Sequence, residues 1–282
     1  MSSQSFGWTI PFMQTGYAGR GLVYVVIAGF SLWAIWSGGS AQGTDSALSR
    51  LQGTPGGYVI LALIAFGLFA YCIWRLLDAG FDLEAYGSDG KGIIARIGMV
   101  VTGLVHAGLG VAAFGILTGS GGGGSGGIPG MTRRVLELPQ GQYIVGAAAI
   151  AILGAGLYYL KKAIGEDYRE HLRANQFTVN WNWVLKAGVA AQGVIVTIVG
   201  GFFLVAALTF DPSDAGGISQ VFDWLASQPF GQTIVVLICL GLLGFALFCF
   251  VNAAYRIVPR AASEDIETLA KRLKAKAEAE AS

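Results

Sequence analysis

One histidine lies deep inside an apolar stretch of this sequence. His106 is about nine residues into the stretch 97–117, or about 14 Å along a helix, which places it near the middle of a bilayer. An ionisable side chain at that depth is costly, and such residues often bind ligands or carry protons. The structural alternative is a neutral imidazole that bonds to a carbonyl or hydroxyl group of the next helix. Both interpretations stay open from the sequence.

An internal repeat indicates which residues accompany His106. Glycines five residues apart occur three times: Gly16 and Gly21, Gly98 and Gly103, Gly188 and Gly193. Aligned on these pairs, Arg20, Thr102 and Gln192 are equivalent, and Tyr24 is equivalent to His106 one turn deeper. If three hairpins surround a pseudo-threefold axis, the five side chains converge on it.

We therefore predict a binding site for a ligand or solute at these five positions. Its residues are Arg20, Tyr24, Thr102, His106 and Gln192. The alternative for Arg20 and Gln192 is that they face lipid headgroups, with the long side chain of Arg20 reaching to the membrane surface.

A second marker divides each repeat into two helices. The tripeptides are Pro55-Gly56-Gly57, Pro139-Gln140-Gly141 and Pro229-Phe230-Gly231, and each opens an apolar run. Proline at the start of a helix loses no hydrogen bond, because that N–H would be unpaired anyway. Each unit therefore reads as a helix, an outer loop, a Pro-x-Gly corner and a returning helix.

Six apolar stretches are long enough to cross about 30 Å of hydrocarbon as helices. They are residues 18–36, 58–77, 97–117, 143–160, 184–208 and 233–251. We predict an all-α integral membrane protein with six transmembrane helices in three hairpin repeats of the same orientation. The units are residues 1–95, 96–183 and 184–256, and residues 257–282 form a cytoplasmic tail with a short helix over 263–282, capped by Ser263.

Composition supports a membrane protein. The chain is 54% hydrophobic and 12% charged, whereas soluble domains carry about a quarter charged residues. A net charge of +1 provides no field for nucleic acid. The three cysteines, Cys72, Cys239 and Cys249, lie in apolar runs and are expected to be buried thiols.

The distribution of positive charge predicts the orientation. Of the Lys and Arg residues, only Arg50, Arg133 and Arg134 lie in the loops opposite the N-terminus. Cytoplasmic loops carry the excess of Lys and Arg, so both termini are expected in the cytoplasm. We expect a multi-pass protein of the bacterial inner membrane.

Catalytic and metal-binding motifs are missing from the sequence. It contains no His-Glu-x-x-His, Gly-x-Ser-x-Gly or Cys-x-x-Cys, and Gly87-Ser-Asp-Gly-Lys-Gly lacks the spacing of a P-loop. Asp167 and His171 are too few ligands for a metal site, and we expect His171 in a solvated loop. Asp78 is expected to pair locally with Arg75. We expect no catalytic residue, no metal, no cofactor and no enzyme activity.

Several segments together resemble a known family. They are Gly16-Tyr17-Ala18-Gly19-Arg20-Gly21-Leu22-Val23-Tyr24, Ser227-Gln228-Pro229-Phe230-Gly231, Gly241-Leu242-Leu243-Gly244-Phe245-Ala246, and Asp89-Gly90-Lys91-Gly92. The sequence resembles the bacterial membrane family called domain of unknown function 1206, over nearly the whole chain to about Arg256. The resemblance implies three two-helix units and no particular activity. The second repeat departs most, with Thr102 in place of Arg20 and His106 in place of Tyr24.

Three functions fit these features. The first is a structural or accessory subunit of a membrane assembly. Its protein partner would bind the tail 263–282 or helix faces rich in Gly and Ala, such as Ala147, Ala151 and Ala155, or Gly193, Thr197 and Gly201. The second is a permease for a small solute or ion, with a polar path between the hairpins. The third is a binder of lipid, quinone or carotenoid. Membrane lipid is an expected partner in each case, and nucleic acid in none.

Overall fold

The computed structural model describes residues 3–120, 127–261 and 267–281 and is built almost entirely of α-helix. Its six long helices are α1 (Ile10–Trp36), α3 (Gly57–Phe81), α4 (Gly90–Leu117), α6 (Gly141–Gly165), α8 (Asn182–Thr209) and α10 (Gly231–Tyr255). All six are long and apolar enough to cross a membrane. The described residues contain no strand beyond two isolated bridges, Leu172 with Arg256 and Arg173 with Thr268. The chain is a multi-pass all-α membrane protein.

The long helices extend beyond the predicted stretches, mostly at the end of the bundle that carries the N-terminus. There, α3 continues to Phe81 rather than 77, and α4 begins at Gly90 rather than 97. Hydropathy marks the edge of the hydrocarbon, whereas a helix can continue beyond it. Charged residues such as Asp78 and Lys162 follow the predicted stretches within the same helices. We call this end the tail side and the opposite end the loop side.

Three short helices lie on the loop side, one before each returning helix. They are α2 (Thr44–Gln52), α5 (Gly127–Leu136) and α9 (Ile218–Ala226), whereas the short helix α7 (Gln176–Asn180) directly precedes α8. The middle residue of each following Pro-x-Gly corner, Gly56, Gln140 or Phe230, has a positive φ. A Cβ on the corner glycine would collide with backbone of the preceding segment, as at Gly141 against Val135. The three corners therefore share one backbone geometry.

The long helices form a ring with one open side. Helix α1 packs between α3 and α10, α4 packs on α3, α8 packs on α10, and α6 packs on α8. Helices α4 and α6 make at most isolated contacts with each other. The first and third hairpins are thus closed, and the middle hairpin is splayed.

The first glycine of each five-residue pair shows the same difference between the closed hairpins and the splayed one. A Cβ on Gly16 would meet Tyr71 of α3, and one on Gly188 would meet Gly244 of α10, so both glycines face the returning helix of their own repeat. The equivalent Gly98 of α4 faces open space. The second glycine of each pair packs on a neighbouring repeat: Gly21 on Phe250, Gly103 on Arg75 and Cys72, and Gly193 on Leu160.

Side-chain size at the helix crossings accounts for the difference. Two repeats bring small residues together where their helices cross: Gly19 meets Gly67, and Ala191 meets Gly241. The corresponding pair in the middle repeat is Val101 and Ala151, and both are exposed. Because valine holds backbones further apart than glycine or alanine, close approach of α4 and α6 is disfavoured.

The tail folds back on its own chain. Its helix α11 (Leu269–Ala281) begins at Leu269, which is fully buried. The backbone N–H of Leu269 donates a hydrogen bond to the carbonyl of Leu172. The predicted cap Ser263 lies outside the described residues. The start of α11 is thus covered by the rest of the molecule.

Two smaller expectations have clear outcomes. Cys72, Cys239 and Cys249 are buried free thiols, as predicted. The expectation for His171 is wrong: it ends a 3-10 helix, Asp167–His171, and is half-buried, because the tail and the end of α10 pack over this segment.

Candidate functional site

Arg20 lies in the interior of the bundle, on α1. Its side chain is among the buried residues, with 4% of the residue exposed. Nη1 donates to the Tyr71 hydroxyl over 2.8 Å, and the guanidinium lies 4.7 Å from the Tyr71 ring centre and 5.5 Å from that of Phe245. The alternative that Arg20 reaches to the headgroups is wrong, because the guanidinium is buried in contact with the two rings.

One atom of Arg20 has no partner. Its Nε is buried and donates no hydrogen bond. No carboxylate of the described residues forms an ion pair with this guanidinium. An arginine inside a membrane bundle normally pairs with an acidic group or a carbonyl. Arg20 therefore keeps one unused hydrogen-bond donor and a positive charge that is not paired with a carboxylate of the described residues.

Tyr71 links the first repeat to the second. Its hydroxyl accepts from Arg20 and, over 3.0 Å, from Nε of Arg75 one turn away. Its ring meets Tyr17 edge-on at 5.4 Å and lies 4.7 Å from the His106 ring. Tyr71 is fully buried, so the position of its hydroxyl is fixed by packing from several sides.

His106 is buried against Tyr71 but bonds within its own helix. Its Nδ1 lies 2.7 Å from the carbonyl oxygen of Thr102. Because a carbonyl only accepts, Nδ1 carries a proton, and Nε2 holds the lone pair of the neutral ring. The alternative of a bond to the next helix is wrong, because Nδ1 bonds to a carbonyl of its own helix and no hydrogen bond joins His106 to another helix among the described residues.

The remaining predicted residues, Tyr24, Thr102 and Gln192, have three different environments. Tyr24 is buried and meets the Phe245 ring edge-on at 4.8 Å, so it belongs with Arg20. The Thr102 hydroxyl donates to the carbonyl of Gly98 and is used within α4. Gln192 is buried on α8 with an unpartnered Oε1, and no hydrogen bond joins it to Arg20. The structure thus brings together Arg20, Tyr24 and His106, while Gln192 stands apart.

Two further arginines share buried carboxylates on the tail side of Arg20. Arg75 pairs with Asp78 over 3.1 Å, as predicted, and lies 3.8 Å from Glu84. Arg256, at the end of α10, donates from Nε to Glu84 over 2.9 Å. Burial raises the pKa of Glu84, but the charges of Arg256 and Arg75 more than offset it and lower the pKa to about 2.

A fourth cation completes the group. Lys162 of α6 is half-buried, lies 5.9 Å from the Tyr158 ring centre, and interacts electrostatically with Arg256 and Glu84. We call Arg20, Arg75, Lys162 and Arg256 the basic cluster. The cluster has four cations and only two neighbouring buried carboxylates, Asp78 and Glu84, which pair with Arg75 and Arg256, so its positive charge exceeds its negative charge.

Comparison with known proteins identifies the family. The profile of the family described as Domain of Unknown Function (DUF1206) matches residues 15–82, 97–166 and 187–256. This chain belongs to that family. A relative, the "Uncharacterized protein YxxB" of Bacillus subtilis (strain 168), is 26% identical over 253 residues, which span 88% of this chain and 92% of the relative. No solved structure matches.

The three matches within this DUF1206 protein correspond to the three hairpins, and they reveal a signal that sequence reasoning missed. Sixteen residues after the corner proline stand Tyr71, Ala155 and Phe245 in the three repeats. Tyr71 and Phe245 supply the two rings that cover the guanidinium of Arg20. The third position, Ala155 of α6, is exposed.

Glu84 and Arg256 were also missed. Glu84 lies in the segment between α3 and α4, and Arg256 directly follows α10, so no motif connects them in sequence. Among the described residues, no group of three His, Cys, Asp or Glu side chains is placed to hold a metal ion.

Proposed function

We propose that this protein binds, inside its membrane bundle, a ligand that carries a negative charge. The observation that carries the proposal is Arg20, a buried arginine with a free Nε donor and no carboxylate partner. A charged side chain in this environment requires compensation, and a bound anion supplies it through charge-assisted hydrogen bonds. The proposal is one of binding, without catalysis.

The rest of the basic cluster supports the same ligand class. Arg75 and Arg256 already share Glu84, while Arg20 and Lys162 form no ion pair within the described residues. The two cations without carboxylates give the interior an excess of positive charge. A carboxylate or phosphate group has the complementary charge and accepts from several donors at once.

The packing on the loop side of Arg20 favours binding over conduction. The interior there is filled by fully buried apolar side chains: Ile27, Leu61, Ile64 and Leu242. A permease requires a polar path from one side to the other, and these residues offer none. A ligand therefore reaches Arg20 from the tail side or from the membrane.

An accessory subunit remains the second candidate, and one observation supports it. The small-residue face Ala147, Ala151 and Ala155 of α6 is exposed, whereas Thr197 of α8 is already packed against Gly156 of α6. Replacing Ala147 by Leu would disrupt a stoichiometric partner complex in a native gel. A complex of unchanged size would count against this candidate.

We also infer that the protein lies in the bacterial inner membrane with both termini in the cytoplasm. The distribution of Lys and Arg supports this, since all but three lie on the tail side.

Thermal unfolding of the purified protein in neutral detergent tests anion binding. The probes are inorganic phosphate and acetate, and lysophosphatidylglycerol against the zwitterionic lysophosphatidylcholine. We expect an anionic probe to raise the unfolding temperature of the native protein, and Arg20→Gln to weaken its apparent affinity about 10- to 100-fold, the usual value of a hydrogen bond to a charged group.

Arg50→Gln is the matched control. Arg50 is exposed on the loop side, over the Trp33 ring, and its loss should leave the response to anions unchanged. Arg20→Lys keeps the charge and should retain part of the response. Equal responses of the native protein and of Arg20→Gln to every anionic probe would refute the proposal.

A further inference from the structure

The rings that cover Arg20 come from two of the three repeats. The equivalent ring positions Tyr71 and Phe245 cover its guanidinium from α3 and α10, and the third equivalent is the small, exposed Ala155 of α6. Arg20 also interacts electrostatically with Tyr159 of α6 and with His106 of α4. Its charge therefore lies between the two helices that do not pack together.

The space between α4 and α6 forms a cleft, and glycines line it. Added Cβ atoms on Gly98 of α4 and Gly154 of α6 would meet nothing within 4 Å. In the closed repeats, the residues equivalent to these glycines are packed: Gly16 and Gly188 on their returning helices, and Gly244 on α8. The cleft is thus the place where the middle repeat lacks a helix contact that its two siblings make.

The cleft opens at the depth of Arg20. By repeat equivalence, Thr102 stands on α4 where Arg20 stands on α1, and Gly98 is one turn towards the tail side. On α6, Ala155, Tyr159 and Lys162 follow at helical spacing along one face, towards the tail side. A molecule in the cleft therefore has Ala155 beside it, Arg20 behind it and Lys162 at its tail-side end.

We propose that an acidic lipid occupies this cleft, with its phosphate group at Arg20 and Lys162 and an acyl chain between α4 and α6. This rests on the proposed function and adds the source of the anion. A cleft between transmembrane helices opens to the bilayer, and its small apolar walls fit a slender hydrocarbon chain. Basic pockets between transmembrane helices bind acidic headgroups in this manner, and the excess charge of the basic cluster selects against zwitterionic lipid.

Two variants fill the cleft without replacing any residue of the basic cluster. Ala155→Phe supplies the third ring beside Tyr71 and Phe245, and Gly154→Leu fills the open space next to it. Gly29→Leu is the matched control, because Gly29 is exposed on α1 and an added Cβ there also meets nothing within 4 Å. Each variant is titrated with lysophosphatidylglycerol and with inorganic phosphate, and binding is followed by the unfolding temperature.

We expect lysophosphatidylglycerol to stabilise the native protein and Gly29→Leu alike, and to bind Ala155→Phe and Gly154→Leu at least 10-fold more weakly. A lipid response that both cleft variants retain, but that Arg20→Gln loses, would overturn the lipid cleft and leave anion binding intact. So would a response to phosphate alone. If no probe depends on Arg20, both proposals fail.

Discussion

The carboxylate of Glu84 accepts a hydrogen bond from Nε of Arg256, 172 residues further along the chain, over 2.9 Å. A second pair, Arg260 with Asp82 at 3.0 Å, lies beside it. Glu84 and Asp82 belong to the segment after α3, and the arginines follow α10. These pairs therefore fasten the first repeat to the third on the tail side, next to α1.

Glu84→Gln should destabilise the protein markedly. The substitution leaves Arg256 without a carboxylate and Arg75 with Asp78 alone, and breaking one partner of a buried ion pair costs roughly 3 kcal/mol. Thermal or denaturant unfolding in detergent measures the loss. Glu267→Gln is the control, since the Glu267–Arg272 pair is exposed and its removal should change stability little. Equal losses of stability in the two variants would show that the ion pair of Glu84 with Arg256 does not stabilise the contact between the first and third repeats.

His171 should make stability depend on pH. Burial and the charge of Arg256 lower the pKa of His171 from 6.5 to about 4. Between these values the unfolded chain binds a proton that the folded protein does not, so the free energy of unfolding falls as pH falls from 6.5 towards 4. Near pH 5 the difference is about 1–2 kcal/mol after allowance for solvent screening.

The comparison of native protein with His171→Gln isolates this effect, because other titrating groups are common to both. We expect the native protein to lose more stability than the variant between pH 7 and pH 5. Parallel stability curves over that interval would show that His171 is not held neutral by the fold.

The helices and the repeat could be predicted because both are local in sequence. Apolar length locates each span, and the Pro-x-Gly corners aligned the three returning helices correctly, since a corner residue with positive φ and a glycine against the backbone recur in each. Helix ends were less accurate, because α3 and α4 continue through the interface where hydropathy gives no signal.

The site was only partly predictable. The glycine alignment selected Arg20 and His106, but the contacts of Arg20 depend on which helices stand beside α1, and that order is not local. Tyr71 and Phe245 occupy one repeat position, yet nothing in sequence shows that their rings enclose Arg20. The open middle repeat did leave a signal, since Val101 replaces the small residues found at the other two crossings.

The backbone of the second corner provides a stability test. Gln140 has a φ of 65° and is exposed, so Gln140→Gly should stabilise the protein by up to about 1 kcal/mol, because glycine adopts this conformation without strain. Gln232→Gly is the control: Gln232 is exposed in the first turn of α10, where glycine costs up to about 1 kcal/mol. Destabilisation by both changes would contradict a strained corner.

Substitution of the corner glycine, Gly141, should destabilise the protein. Gly141→Ala places a Cβ against the backbone of Val135 and Leu136, and should cost about 1–3 kcal/mol. Gly29→Ala adds the same atom in open space on α1 and should be neutral or slightly stabilising. Unfolding of the two variants under one set of conditions measures the difference. Equal stability of both would mean that the corner relaxes to admit a side chain.

Reporter fusions test the orientation inferred from charge. A fusion after Gly123 lies in the loop that contains few basic residues, and one after Ser263 lies in the basic tail. Because Lys and Arg are retained in the cytoplasm, alkaline phosphatase should be active at the first position and green fluorescent protein should fluoresce at the second. The reverse pattern, cytoplasmic at Gly123 and external at Ser263, would show that the bundle has the opposite orientation in the membrane. The basic cluster, which lies on the tail side, would then bind lipid from the outer leaflet, so the fusions also decide which leaflet supplies the proposed ligand.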